Sequence, residues 1–167
     1  MKTLLLTAAV VAGCGFSILF GEPAAPVVFT VAQAEAGRTA ALSTCAKCHT
    51  EALTGRTGDP AENPPLSALP DDYQKVVKDA GGKVPPLVGP AFMKRWGAKT
   101  TADLSRRIFE AVGGFPPSGK EDVRDAITLT AYILQSNGAR PGPQELTMST
   151  AVTLTSVAAT PDTPRSK

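Results

Sequence analysis

The sequence predicts an all-α domain of four to five helices, and three observations carry that prediction. Apolar residues recur at helical spacing in separate runs, and most runs close on glycine. No stretch alternates apolar and polar side chains as a half-buried strand would. The connections are dense in Gly and Pro, 15 of each in 167 residues, which suits long loops between short helices. That length allows one core and no second one of useful size. With 17 Lys plus Arg against 15 Asp plus Glu, the chain is too near neutral to carry a nucleic-acid-binding face.

The N-terminus reads as an export signal. Met1-Lys2 precedes an uncharged stretch from Thr3 to Phe20, and Ala32-Gln33-Ala34 has the small-x-small form that signal peptidase accepts. Residues 1–34 are therefore expected to be a signal peptide or an N-terminal anchor, with Glu35 opening the mature chain. Two other routes stay open. Val11-Ala12-Gly13-Cys14 has the form that directs lipidation of the cysteine, and residues 4–20 can stay on the chain as a membrane anchor. That stretch is slightly shorter than the about 20 residues of a typical span. All three routes leave the globular part outside the cytoplasm, in the periplasm. Losing residues 1–34 removes one base, Lys2, and one acid, Glu22, so the charge balance is kept.

The domain itself is expected over 35–138. Ala36 to Cys48 reads as a helix with Gly37, Ala40, Ala41 and Leu42 on a small, weakly apolar face. Thr54 to Pro70 is a loop. Asp71 or Asp72 can cap a short helix through Ala80, which Gly81-Gly82 stops. The turn Val84 to Pro90 leads into a short helix from Ala91 to Trp96. Thr100 or Thr101 caps the next helix, whose Leu104, Ile108, Ala111 and Val112 share one face and which Gly113-Gly114 ends. After the turn Phe115 to Gly119, a last helix from Lys120 to Ser136 carries Val123, Ile127, Ala131 and Leu134 on one stripe, and Asn137-Gly138 stops it. Residues 139–167, rich in Pro, Thr, Ser and Ala, are expected to form a flexible tail in which Glu145 to Val157 adds a little extended order.

The chemistry lies in Cys45-Ala46-Lys47-Cys48-His49. Two thiols three residues apart on a helical turn reach the two vinyl groups along one edge of a porphyrin. The adjacent imidazole then falls under the ring, where it binds iron. This spacing is the signature of c-type haem attachment. His49 is the single histidine of the sequence, which excludes a second histidine ligand, a His-paired metal site and a catalytic triad with a remote histidine. A zinc site would lack ligands, with only Cys14 left to add to the motif. A CxxC redox disulfide does not call for the histidine. The expected cofactor is one covalently bound haem on Cys45 and Cys48, with His49 as the proximal iron ligand. It also accounts for an aromatic content of only 5%, since the porphyrin supplies a large flat apolar body.

From this motif outward, residues 36 to 138 resemble a bacterial monohaem class I cytochrome c. The matching pieces are Gly37, the turn Pro86-Leu87-Val88-Gly89, Phe92 with Trp96, Ala102-Asp103-Leu104 to Ile108, and Ala131-Tyr132-Ile133-Leu134 with Asn137-Gly138. The resemblance implies that the first and last helices cross with Gly37 against the face of Tyr132. It implies that a carbonyl of Pro85 or Pro86 accepts the His49 Nδ1–H, and that the Trp96 indole reaches toward a haem propionate. The chain departs from the family in three places. Ala41 stands where an aromatic is usual, and the stretch between His49 and Pro85 is long, as if about 25 residues had been inserted. Phe115-Pro116-Pro117 stands where the family places its ligating Met-Pro.

The distal iron ligand is therefore open between water or no ligand, Met93, Met148 and Lys120, with Phe115 expected over the distal face without ligating. Two functions follow. The first is a periplasmic electron carrier cycling Fe(II)/Fe(III), whose redox partners are a dehydrogenase, an oxidase or another cytochrome. The alternative is a haem sensor or peroxide-using enzyme with an open iron site. Against peroxide chemistry, no distal histidine exists, and Glu110 and Lys120 are the nearest titratable substitutes. Membrane association through residues 4–20 or a lipidated Cys14 is compatible with either.

Overall fold

A computed structural model describes residues 25–62, 64–113 and 123–158. Among them the protein is all-α. It has no strand, only two isolated bridges, Arg56 with Val84 and Thr100 with Thr153. The helices are α1 (Val31–Ala40), α2 (Ala46–His49), α3 (Asp71–Asp79), α4 (Gly89–Trp96), α5 (Thr101–Gly113), α6 (Val123–Ser136) and α7 (Leu154–Val157).

The first helix begins five residues earlier than expected because Thr30 caps it. Its hydroxyl accepts from Gln33 N at 3.2 Å while Gln33 Oε1 accepts from Thr30 N at 3.1 Å, a reciprocal capping box. Phe29, just before the cap, is fully buried, and its carbonyl accepts from Gly142 N at 2.8 Å. The Gln33 amide also holds Leu146 through both backbone groups, each at 2.9 Å.

Packing and hydrogen bonds run across both expected domain boundaries. The boundary after Ala34 falls inside α1, and Ala34 is fully buried. The segment after Ala139 is no loose tail as far as Ala158: it buries Leu146, Leu154 and Val157, and bonds Leu154 N to Lys99 O and Thr101 N to Val152 O. The expected signal or anchor residues 1–24, Cys14 among them, and residues 159–167 lie outside the described residues.

α1 crosses α6 at Gly37. A Cβ there would lie 1.8 Å from the Thr128 carbonyl oxygen and 3.0 Å from Leu129 N, so only glycine allows the backbones this close. The partner is thus the Thr128–Leu129 backbone and not Tyr132, which lies one turn further along and packs, half-buried, against the core. α5 lies along α6, joined in the interior by Ser105 Oγ donating to Thr130 Oγ1 at 3.0 Å. Leu104, Phe92, Ala131 and Leu134 fill the centre, whereas Val123 is exposed at the start of α6 and takes no part in the expected stripe.

The stretch between His49 and Pro85 builds a small core of its own. Leu69, Tyr73 and Val77 come together and pack against Cys48, Leu66 and Val84. Pro70 precedes α3 with no side-chain cap. Asp71 and Asp72 lie in its first turn, where negative charge suits the helix dipole. Gly81 and Gly82 leave it with φ of 71° and 75°.

Candidate functional site

Between α1 and α2 the helix widens into one π turn, Ala41–Cys45. Such a bulge resets which residues face inward and is common at functional sites. Cys45 ends the bulge, and Cys48 and His49 lie on α2. The structure brings all three to one open apolar cleft. Leu87 from the turn after Pro86, Tyr73 from α3, Ile108 and Ala111 from α5, and Leu129 and Ile133 from α6 complete the walls.

His49 Nδ1 lies 2.8 Å from the Pro85 carbonyl oxygen. Burial holds its pKa below the usual imidazole value, and the Pro85 hydrogen bond opposes this only in part. The ring is therefore neutral at pH 7, with the proton on Nδ1 and the lone pair on Nε2. That tautomer is the one that binds a metal.

The acceptor carbonyl is itself fixed from two sides. On one, Arg56 and Val84 exchange backbone bonds of 2.8 and 3.0 Å, and Leu87 N donates to Leu53 O at 2.9 Å. Gly55, with φ of 75°, lets this happen, because a Cβ there would lie 2.3 Å from Val84 O. On the other, the Asn137 side chain accepts from Gly89 N and donates to Leu87 O, each at 3.0 Å. Thr50 and Leu53 take positive φ, 67° and 58°, directly after the histidine. Each such residue costs on the order of 1–3 kcal/mol and persists only where its surroundings enforce it. Here the strain turns the chain sharply out of α2 and back to Pro85.

Both thiols are free. Burial pushes Cys45 up to about 11, and the neighbouring Cys48 adds to the shift. Burial also raises Cys48, with the Arg56 and Lys47 charges opposing it. A nucleophilic CxxC pair needs the reverse, one thiol depressed toward neutrality.

The distal candidates fall elsewhere or outside the described residues. Met93 packs against the central core and Met148 is half-buried in the C-terminal segment; neither lines the cleft. Lys120, Phe115, Pro116 and Pro117 lie outside the described residues. Glu110 is exposed and pairs with Arg107 at 3.9 Å. Trp96 stacks on Phe92 at 6.3 Å between ring centroids, with Lys99 Nζ 5.6 Å from its own ring, and does not line the cleft.

Several residues at the site carried no sequence signal of a role there. Thr50, Leu53 and Gly55 read as ordinary loop, Asn137 as a helix stop, and Tyr73 as part of an inserted helix. Tyr73 is 6% exposed, and its hydroxyl has no hydrogen-bond partner. Among the described residues no three of His, Cys, Asp and Glu converge to hold a metal ion. No family model matches the chain, and neither the curated proteins nor the solved structures give a match.

Proposed function

We propose that the chain is an exported electron-transfer protein of the class I cytochrome c type, carrying one haem on Cys45 and Cys48 with His49 as the proximal ligand. One observation carries the reading. The two thiols and a neutral imidazole, its Nδ1 engaged by a fixed backbone carbonyl, open together onto one apolar cleft. Bound there, haem supplies an iron that accepts and releases one electron. The chain's own residues do the rest. Cys45 and Cys48 anchor the porphyrin edge, and Leu87, Ile108, Leu129 and Ile133 keep water from its faces. The Pro85 carbonyl orients the imidazole and strengthens it as a donor.

The location outside the cytoplasm rests on the uncharged stretch from Thr3 to Phe20, and the redox partners are a dehydrogenase, an oxidase or another cytochrome. The chain's near-neutral charge gives little long-range steering, so docking relies on short-range apolar contact.

A second reading, a haem that binds a diatomic ligand or peroxide, is favoured by the packing of Met93 and Met148 away from the cleft. The reduced absorption spectrum with and without carbon monoxide separates the two. The carrier reading expects a low-spin haem spectrum that carbon monoxide leaves in place. A Soret band that moves at low carbon monoxide concentration selects the second reading, and a colourless protein overturns both.

A further inference from the structure

We infer that the buried Arg56 guanidinium raises the midpoint potential of the haem, because its positive charge lies against the cysteine–histidine motif and is neutralised only in part. The inference rests on the haem reading above and deepens it, by giving part of the potential to a residue outside the motif.

It starts from a charge that the fold keeps out of water. The Arg56 side chain is only 2% exposed. Its backbone is fixed by the exchange with Val84, next to the Pro85 carbonyl that accepts from His49. The side chain reaches back to the motif. Nη1 donates to Pro64 O at 2.9 Å and Nη2 to Lys47 O at 3.5 Å, and Lys47 stands between the two cysteines. The guanidinium is thereby held between the α2 backbone and the loop at Pro64. Its charge acts on Cys48 more strongly than that of Lys47 does.

The charge is poorly matched. Among the described residues its one ion pair is with Glu62, at 3.9 Å, and Glu62 Oε1 is already taken by the Thr57 N–H and hydroxyl. Asp59 lines the same crevice, but it is exposed and accepts from Ala61 N at 2.8 Å. Nε is buried with no partner among the described residues. Keeping a cation in such a place costs free energy that a neutral donor would not cost. The two carbonyls would accept from a neutral amide as well, so anchoring alone does not call for the charge.

A redox site feels that charge directly. Oxidation adds one positive charge at the site, and a fixed cation against the motif opposes it. The interaction falls off only as the inverse of distance and is screened least where water is excluded. Arginine stays protonated at any working pH, so the contribution is constant.

Midpoint potentials of three haem-loaded variants test this. Arg56→Gln keeps a donor for the carbonyls and removes the charge, so the potential should fall. Arg56→Lys keeps the charge and should lie closer to wild type. Glu62→Gln keeps an acceptor for Thr57 and removes the partial neutralisation, so the potential should rise. That rise should be the smaller shift, because Glu62 is the more exposed of the pair. A merely structural role gives no such opposition of sign, since a loosened cleft admits water in either variant. The fall in Arg56→Gln should persist at high salt, which screens exposed charges far more than buried ones. Absorption spectra should match wild type, because the iron ligands are untouched. An unchanged potential in Arg56→Gln, a shift that salt abolishes, an altered spectrum, or shifts of the same sign in Arg56→Gln and Glu62→Gln overturns the inference. So does an Arg56→Lys potential as low as that of Arg56→Gln. Should Arg56→Gln not load haem, Glu62→Gln decides alone, and a potential that does not rise overturns it. Wild-type protein with no covalent haem overturns the haem reading itself, before any variant is made.

Discussion

The first and last described segments and the stretch between His49 and Pro85 are finished differently. In the first and last described segments, protein satisfies protein. Phe29 O accepts from Gly142 N, Gln33 pairs twice with Leu146, and Gly37 brings α1 onto the α6 backbone with no space between them. On the other side the polar groups are aligned but incomplete. Cys45 and Cys48 form no disulfide, the Tyr73 hydroxyl has no protein partner, and the walls they share are apolar. One half closes on itself, while the other gathers thiols, an imidazole and a phenol along apolar walls.

The largest effect should come from removing the terminal half's first residues. A chain starting at Glu35 loses Phe29, worth about 3–5 kcal/mol if it behaves like other buried phenylalanines, and the Thr30 cap, worth about 1 kcal/mol. Against a total of roughly 5–15 kcal/mol for an ordinary domain, that should abolish cooperative unfolding. On the proposed export, the mature chain is therefore expected to keep Phe29 and Thr30. Thermal melts of the truncated chain and the intact mass of the exported one check this. A stable, cooperatively melting chain that begins at Glu35 would break the comparison.

A smaller effect is expected at the crossing. Gly37→Ala puts a methyl where the Thr128 carbonyl already lies, so α1 and α6 must separate. Overpacking of this kind typically costs about 1–3 kcal/mol. Denaturant midpoints should fall by that amount with the cleft chemistry unaltered, and an unchanged midpoint would show that the helices do not meet as described.

The smallest effect sharpens the contrast from the cleft side. In haem-free protein the Cys45 thiol is raised to about 11 by burial, against about 8.5 in an unfolded chain. A raised value means that the folded state holds its proton more tightly. This contribution is complete below about pH 8.5 and is lost as pH rises toward 11. Haem-free protein should therefore weaken through that window, and Cys45→Ala should weaken less, since Cys48, also raised by burial, remains. A haem-loaded protein should not weaken there, because its thiols are gone. Equilibrium unfolding at pH 8 and pH 10.5 measures the difference. Equal alkaline loss in all three proteins would place its origin elsewhere.

The same division governs what could be read from the sequence. CAKCH carries its meaning in five adjacent residues, and α3, α4 and α5 lie close to where local periodicity and glycine stops put them. The carbonyl partner of His49 was legible through family likeness, at Pro85 or Pro86. What escaped depends on contacts between distant residues. Ala32-Gln33-Ala34 has the form of a cleavage site and is also the first turn of a capped helix. The helix is held by the bonds to Gly142 and Leu146, more than 100 residues away, which the sequence does not show. The crossing point was placed one turn off, at Tyr132, because composition marks the glycine but not the register of its partner. The left-handed Thr50 and Leu53 are imposed by the path back to Pro85, and no local preference announces them.

The central claim is that Cys45 and Cys48 are both bonded to one haem. Trypsin cuts after Arg38, Lys47 and Arg56, so it separates the two cysteines into the peptides Thr39–Lys47 and Cys48–Arg56. In protein matured with haem, mass spectrometry of the digest should find these two peptides joined through a single haem. Peptides released separately with free thiols, or joined by a disulfide without haem, would contradict the account.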